Sequence, residues 1–133
     1  MGGDEHTIVL DAGAVIGLSR NDHRLRRIFK AAQKAGVEVR VPIVVVAETV
    51  RGNGPRDATV NLVLAQTAPQ HPLTERLARV AGVLLGDSGS SSTIDALVVA
   101  DALDCTPAII WTSDVIDLRQ LLGRHRGVTV EPI

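Results

Sequence analysis

The sequence contains few of the residues on which several classes of protein depend. Its 133 residues include one cysteine, one phenylalanine, one tryptophan and no tyrosine. Because Cys105 is the only cysteine, an internal disulfide and a zinc site of several thiolates are excluded, and a reducing compartment such as the cytoplasm is expected. The longest apolar run, residues 41–47, contains a proline and is too short to cross a bilayer. Residues 1–6 resemble neither a signal peptide nor a myristoylation signal.

An excess of charge of either sign is also missing. The chain has 14 basic and 15 acidic side chains and a net charge of −1, so its overall charge does not indicate nucleic-acid binding. Its lysines are Lys30 and Lys34, both in an early amphipathic stretch. Phosphoaspartyl enzymes and receiver domains need a lysine beside the phosphate, and no lysine follows residue 34, which argues against them. No Gly-x-x-x-x-Gly-Lys loop is present, which excludes a P-loop nucleotidase.

Short aliphatic runs alternate with amphipathic stretches, and 45% of the residues are apolar. This length and composition predict one domain, residues 1–133. Residues 43–46 are β-branched, which favours a strand, but Pro42 suits the start of a helix, and we favour helix. We predict strands at 6–10, 37–41, 108–111 and 128–130, helices at 12–19, 22–35, 43–51, 56–66, 74–85, 93–104 and 114–122, a turn at 53–55 and a polar loop at 86–92. This alternation predicts an α/β sandwich around a mostly parallel sheet.

Four acidic residues come at informative points in this order of elements. Asp11 follows the first strand, Glu48 comes after the second strand and Pro42, and Asp114 follows the third. Because the carboxyl ends of parallel strands lie at one edge of a sheet, and ligands bind outside that edge, we expect these three acids to converge. Asp95 opens the helix at 93–104 and can join them from a helix N-terminus.

Each of these acids also has an ordinary structural explanation. Asp11 and Asp114 could cap helices, Asp95 follows Ser92 at the spacing of a capping box, and Glu48 could be a solvated helix residue. Together they are harder to explain, because two carboxylates 4 Å apart repel by about 4 kcal/mol at an effective dielectric near 20. A fold that gathers four of them needs a cation or a proton. Oxygen ligands without cysteine or a nearby histidine suit Mg²⁺ or Mn²⁺.

The segments around the four acids carry a family resemblance. They are IVLDAGAVIGL, VPIVVVAETVRG, TIDALVVADAL and WTSDVIDLRQLL. These segments resemble the four signature blocks of PIN domains, and their order and spacing resemble the toxin ribonucleases called VapC. The resemblance covers nearly the whole chain and implies a PIN-like α/β/α sandwich with a mostly parallel sheet of four to five strands. The family commonly has Thr-Ser after the first aspartate, whereas this chain has Ala12 and Gly13, which removes a hydroxyl that could support the site.

The resemblance also implies a function. In the family, the acids corresponding to Asp11, Glu48, Asp95 and Asp114 form the metal site of a ribonuclease, the toxin of a VapBC toxin–antitoxin pair. We therefore expect Asp11, Asp95 and Asp114 to bind Mg²⁺ or Mn²⁺, and Glu48 to orient a water molecule or hold a second metal ion. The resemblance further implies an RNA substrate, a cognate VapB-like antitoxin and a homodimer. The alternative is a PIN-like scaffold without nuclease activity that binds only a protein partner.

Two further features have less definite interpretations. Asp117 and Asp101 are weaker candidates for the site, and Asp101, six residues after Asp95, should point away from it around the helix. Residues 20–34 are rich in basic side chains, with arginines at helical spacing at Arg20, Arg24 and Arg27. They could follow an RNA backbone, but we favour a solvated helix face.

Overall fold

The computed structural model describes residues 6–133. The prediction that residues 1–6 form no targeting signal therefore falls mostly outside the described residues. The strands are β1 (Thr7–Leu10), β2 (Val39–Arg40), β3 (Ala108–Thr112) and β4 (Val128–Pro132). The helices are α1 (Ala12–Ser19), α2 (His23–Lys34), α3 (Ile43–Thr49), α4 (Gly54–Ala65), α5 (Glu75–Ser88), α6 (Thr93–Leu103) and α7 (Val115–Leu122). None of these helices is both long and apolar enough to cross a membrane.

The four strands form one parallel sheet in the order β2-β1-β3-β4. In the centre, Ile8 of β1 is in register with Val39 of β2 on one side and Ile109 of β3 on the other. Val9 and Leu10 are fully buried, as expected for a strand that is covered on both faces. Because every strand points the same way, all four end at one edge, which we call the carboxyl edge; the strands end there at Leu10, Arg40, Thr112 and Pro132.

Helices cover the sheet in two groups. In one group α6 packs against β1 and β3 and contacts both α5 and α7. In the other, α1 packs against β1 and β3 and contacts α2, α3 and α4. The shared core is aliphatic, with Leu18, Ile110 and Leu118 among its fully buried side chains. This arrangement confirms the α/β/α sandwich, with a sheet of four strands that is parallel throughout.

Several predicted boundaries were wrong. The strand at 37–41 is only Val39–Arg40, because the Val37 amide closes the end of α2 on the carbonyl of Ala32. The helix at 56–66 begins earlier, since Asn53 accepts a hydrogen bond from the Arg56 amide at 3.1 Å and so caps α4. The turn at 53–55 is therefore largely the first turn of α4, and the helix at 43–51 ends at residue 49.

The predicted start of the loop at 86–92 was also wrong. Its composition favours a loop, but α5 continues to Ser88 because the preceding turn is anchored by the buried Leu84. The helix ends at Gly89, which adopts φ +74 and donates its amide to the carbonyl of Leu85. A left-handed glycine is a common way to end a helix, since it lacks the Cβ that would clash in this conformation.

Candidate active site

The carboxyl edge brings the predicted acids together. Asp11 directly follows β1, Asp114 comes two residues after the end of β3, and Asp95 lies in the first turn of α6. Asp95, Asp114 and Asp117 each have a carboxylate oxygen within 4.8 Å of those of the other two. Asp95 also raises the pKa of both Asp11 and Glu48 by charge repulsion, so all five carboxylates form one electrostatic group. We call these five residues the acid cluster.

Asp11 is the most buried member of the acid cluster, with 8% of its surface exposed. Its Oδ1 accepts a hydrogen bond from the Ala14 amide at 3.0 Å, so the capping role considered for this residue is confirmed. Its Oδ2 accepts a hydrogen bond from the Thr112 hydroxyl. Burial raises the pKa of Asp11, and the charge of Asp95 raises it further, while the Thr112 and Ala14 hydrogen bonds lower it. Each carboxylate oxygen has two lone pairs, so the cap does not prevent Asp11 from binding a cation.

Thr112 holds two parts of the acid cluster together, and sequence reasoning missed it. Its side chain is fully buried and donates to Asp11, while its oxygen accepts a hydrogen bond from the Asp114 amide at 2.8 Å. The hydroxyl therefore connects the end of β3 to the acid at the end of β1. The available signal was a polar side chain at the end of a buried strand, two residues before Asp114.

Asp95 is held by the residue that was considered as its capping partner. Ser92 is the N-cap residue of α6, but its side chain makes no capping hydrogen bond. Instead, the Ser92 hydroxyl donates to Asp95 Oδ2 at 2.8 Å. The capping box is therefore not formed. Ser92 orients the half-buried Asp95 carboxylate and leaves its other oxygen free for a ligand.

Asp114 and Asp117 are the exposed members of the acid cluster. They are three residues apart on α7, a spacing that places two side chains on the same face of a helix. Asp114 makes no capping hydrogen bond, so the structural explanation considered for it fails. Desolvation raises the pKa of Asp114, and the neighbouring charges of Asp117, Asp95 and Asp11 raise it further. The structure therefore places Asp117, a weaker candidate by sequence, within reach of Asp95 and Asp114.

Glu48 reaches the acid cluster from the last turn of α3 and is half-buried. Burial is the largest influence that raises the pKa of Glu48, followed by the charges of Asp95 and Asp11, while Arg51 lowers it. Asp101 is placed elsewhere, as predicted. It is buried beside Arg40 of β2, with 3.8 Å between the guanidinium and the carboxylate.

The acid cluster has the composition of a site for a hard cation. Across residues 6–133, no Lys, Arg or His forms an ion pair within 4.0 Å with any of its five carboxylates. The possible ligands are all carboxylate oxygens, and hydrogen bonds from Thr112 and Ser92 hold those of Asp11 and Asp95 in place. Mg²⁺ and Mn²⁺ prefer such oxygen ligands. The residues present therefore fit a divalent metal ion, which would offset the repulsion among them.

Gly13 lies where the family resemblance predicts a missing hydroxyl. A Cβ at this position would be 2.5 Å from Ser113 Oγ and 3.4 Å from Asp11 Oδ1. The Ser113 hydroxyl therefore fills the space that a serine side chain at position 13 would use. Gly13 therefore leaves room next to Asp11 for Ser113, the residue that follows β3.

Cys105 is not placed for nucleophilic chemistry. It is half-buried two residues after the end of α6, and burial raises the pKa of its thiol to about 11. A thiol with such a pKa is almost fully protonated at neutral pH and is a poor nucleophile.

Solved structures with a similar fold include the following two. One is a chain of the crystal structure of VapBC2 from Rickettsia felis bound to a DNA fragment from their promoter, with a TM-score of 0.74 and 12% identity over 96% of this chain and 98% of that chain. The other is the crystal structure of PAE2754 from Pyrobaculum aerophilum, with a TM-score of 0.56 and 15% identity over 94% of this chain and 83% of that chain. No model of a protein family and no curated protein matches the sequence.

These similarities, together with the parallel sheet, define the class of fold. The chain has a PIN-like α/β/α fold. Within that class its fold is VapC-like, since the first structure matches almost the whole of both chains. At 12% and 15% identity the likeness is one of fold, and the chemistry has to be argued from the acid cluster itself.

Proposed function

We propose that this protein is a Mg²⁺- or Mn²⁺-dependent endoribonuclease, the toxin of a VapBC-type toxin–antitoxin pair, and that it acts in the cytoplasm. The observation that carries the proposal is the acid cluster, whose five carboxylates meet at the carboxyl edge of a VapC-like fold without an ion-pair partner among the described residues. Converging carboxylates of this kind serve phosphodiester hydrolysis when a divalent ion joins them.

The residues of the acid cluster divide the work according to their burial and hydrogen bonds. Asp11, Asp95 and Asp114 would hold the metal ion, and Asp117, which lies against the last two, would complete the set. Glu48 would accept a proton from the attacking water, a role that suits a carboxylate whose pKa is raised by burial and by nearby charge. The bound ion would neutralise the scissile phosphate and make a water molecule more acidic.

An antitoxin partner is part of the proposal. The crystal structure of VapBC2 is that of a complex with a promoter DNA fragment, which supports a VapB-like partner for a chain of this fold. An antitoxin arm that carries arginine could pair with the acid cluster in place of metal and substrate, because arginine makes bidentate contacts with carboxylates. We expect expression of the chain alone to arrest bacterial growth, and co-expression of its antitoxin to relieve the arrest. We also expect a homodimer, which light scattering would test.

Cleavage of RNA tests the proposal. Purified protein should cut RNA with Mg²⁺ or Mn²⁺ and stop when the metal is chelated. Asp95→Asn should be inactive, because it removes a negative ligand and keeps the shape of the side chain. Asp87→Asn is the matched control, since Asp87 is exposed and lies beside the far end of α7. It should cleave at the parental rate.

Two outcomes would reject the assignment. If Asp95→Asn cleaves as fast as the parental chain, the acid cluster is not the active site. If the parental chain neither cleaves any cellular RNA nor arrests growth, the PIN-like scaffold that binds only a protein partner becomes the better account.

A further inference from the structure

The outward face of α2 is basic along its whole length. Leu25, Phe29 and Ala32 are buried against the core, and the side of the helix opposite to them carries only basic or neutral residues. We call its exposed basic residues the α2 basic face; they are His23, Arg24, Arg27, Lys30 and Lys34. No Lys or Arg of α2 forms an ion pair with any residue of the described chain, and the arginines that do are Arg40, Arg56, Arg76 and Arg79.

This distribution of charge works against the stability of the helix. Arg24 and Arg27 are three residues apart, as are Arg27 and Lys30, and Lys34 lies four residues after Lys30. Like charges at these spacings destabilise a helix by about 0.2–0.5 kcal/mol per pair. The first turn contains basic residues and no acidic ones, so the favourable negative charge at the positive end of the helix dipole comes from the N-cap residue Asp22. A face that served solubility alone would be expected to mix the two signs of charge.

The N-terminal turn of α2 lines a groove that reaches the carboxyl edge. Arg24 and Ile28 share a groove of about 310 Å³ with Trp111 near the end of β3 and with Ile133 after the end of β4. Trp111 directly precedes Thr112, whose hydroxyl holds Asp11. The α2 basic face is about 18 Å long, at 1.5 Å for each of 12 helical residues, and it starts at a groove that follows β3 and β4 to the carboxyl edge.

We propose that the α2 basic face binds the sugar-phosphate backbone of the RNA strand on one side of the scissile bond. The proposal rests on the proposed ribonuclease function and extends its substrate site beyond the acid cluster. Exposed cations on long side chains neutralise phosphates without reading base edges, so this contact would strengthen binding to any sequence. The apolar residue between the charges is the small Ala31, and the larger exposed Ile28 lies at the border of the face, so its centre lacks the large apolar side chains expected of a protein interface.

Binding can be measured without cleavage. In the Asp95→Asn background, the affinity for a fluorescein-labelled single-stranded RNA of about 12 nucleotides is followed by anisotropy at several KCl concentrations. The test variant adds Arg27→Gln and Lys30→Gln, which keep good helix formers at exposed positions. The matched control adds Arg124→Gln and Arg126→Gln, an equal loss of charge in the exposed turn before β4 at the opposite edge of the sheet. Thermal melting confirms that each variant is folded.

The expected result is a change in salt dependence. Each lost phosphate contact on a single strand lowers the slope of log affinity against log salt by about 0.7, so the test variant should lose about 1.4. If the test variant and its background bind equally at 1 M KCl, this difference in slope makes the test variant bind about 25-fold more weakly than its background at 0.1 M KCl. The control variant should keep the slope of its background. This readout does not depend on nuclease activity, so failure of the proposed function would be seen separately, as absence of cleavage by the parental chain.

Three results would overturn the proposal. The first is an unchanged slope in the test variant. The second is an equal loss in the control, which would indicate nonspecific attraction by total charge. The third is unchanged RNA binding together with lost binding of an acidic peptide such as oligoglutamate, which would make the α2 basic face a protein-docking surface.

Discussion

Thr112 offers the sharpest test of how the acid cluster is held. Thr112→Val keeps the shape of the buried side chain but removes the hydroxyl that donates to Asp11 and accepts from the Asp114 amide. A hydrogen bond to a charged group contributes about 1.5–3 kcal/mol and a neutral one about 0.5–1.5 kcal/mol. The Asp114 amide belongs to an exposed residue and can be hydrated when the hydroxyl is lost, so we expect a loss of about 2–4 kcal/mol. For a chain of this size this lowers the melting temperature by roughly 6–15 °C.

Two companion variants separate the hydroxyl from the methyl group. Thr112→Ser keeps the hydroxyl and should cost only about 1 kcal/mol for one buried methyl group. Thr129→Val makes the same change as Thr112→Val at an exposed position of β4 and should stay within about 0.5 kcal/mol of the parental protein. Urea unfolding gives these differences in the free energy of unfolding.

Metal affinity gives a second readout of the same variants. Residues that orient metal ligands typically change affinity or activity by about 10- to 100-fold when they are removed, so Thr112→Val should weaken metal binding by this factor and Thr112→Ser should not. If Thr112→Val matches Thr129→Val in stability and the parental protein in metal affinity, the proposed role of the hydroxyl is wrong.

Three further predictions concern single side chains. Asp95→Ser should be as inactive in RNA cleavage as Asp95→Ala, because a serine can cap a helix but cannot replace a carboxylate ligand; an active Asp95→Ser protein would return Asp95 to a structural role. Although burial opposes it, hydrogen bonds from the amides of residues 51–53 and from the Arg56 guanidinium lower the pKa of Asp57, so its stabilising effect is present above the ordinary aspartate pKa and is lost as pH falls through the lowered one. The destabilisation caused by Asp57→Asn in urea unfolding should therefore be largest near pH 7 and shrink below about pH 4, and a difference that does not vary with pH would contradict this reasoning. Gly13→Ala should stabilise the protein by about 0.5–1 kcal/mol in a Ser113→Ala background, where the helix gains alanine without a clash, and should stabilise it less in the parental chain, where the new Cβ meets Ser113 Oγ; equal effects in the two backgrounds would refute the contact.

The main lines of the fold follow from the sequence because local and global signals agree. The aliphatic runs at β1 and β3 are buried on both faces, and in a parallel sheet this places Asp11 and Asp114 at the same edge. The family resemblance added the VapC-like arrangement. The similarity to solved structures bears out the fold, and the chemistry remains a proposal.

Other features depend on tertiary contacts that no local pattern contains. In the sequence, Thr112 looks like an ordinary β-branched core residue. Its hydroxyl reaches the Asp11 carboxylate only because β1 and β3 end side by side. Asp117 joins the acid cluster because it lies on the same side of α7 as Asp114, the residue that precedes the helix. The glycines and serines at 86–92 predicted a loop, but the packing of Leu84 extends α5 through Ser88.

Calorimetric titration of the protein with Mn²⁺ tests the central claim most directly. The acid cluster should give saturable binding in the parental chain and in Asp87→Asn, and this binding should be lost in Asp95→Asn, because that variant removes one negative ligand from the centre of the cluster. Mn²⁺ should also raise the melting temperature of the two binding proteins and leave that of Asp95→Asn unchanged, since a ligand stabilises only the folded state that binds it. Absence of saturable binding in the parental chain, or equal binding in Asp95→Asn, would contradict the assignment of a metal site to these carboxylates.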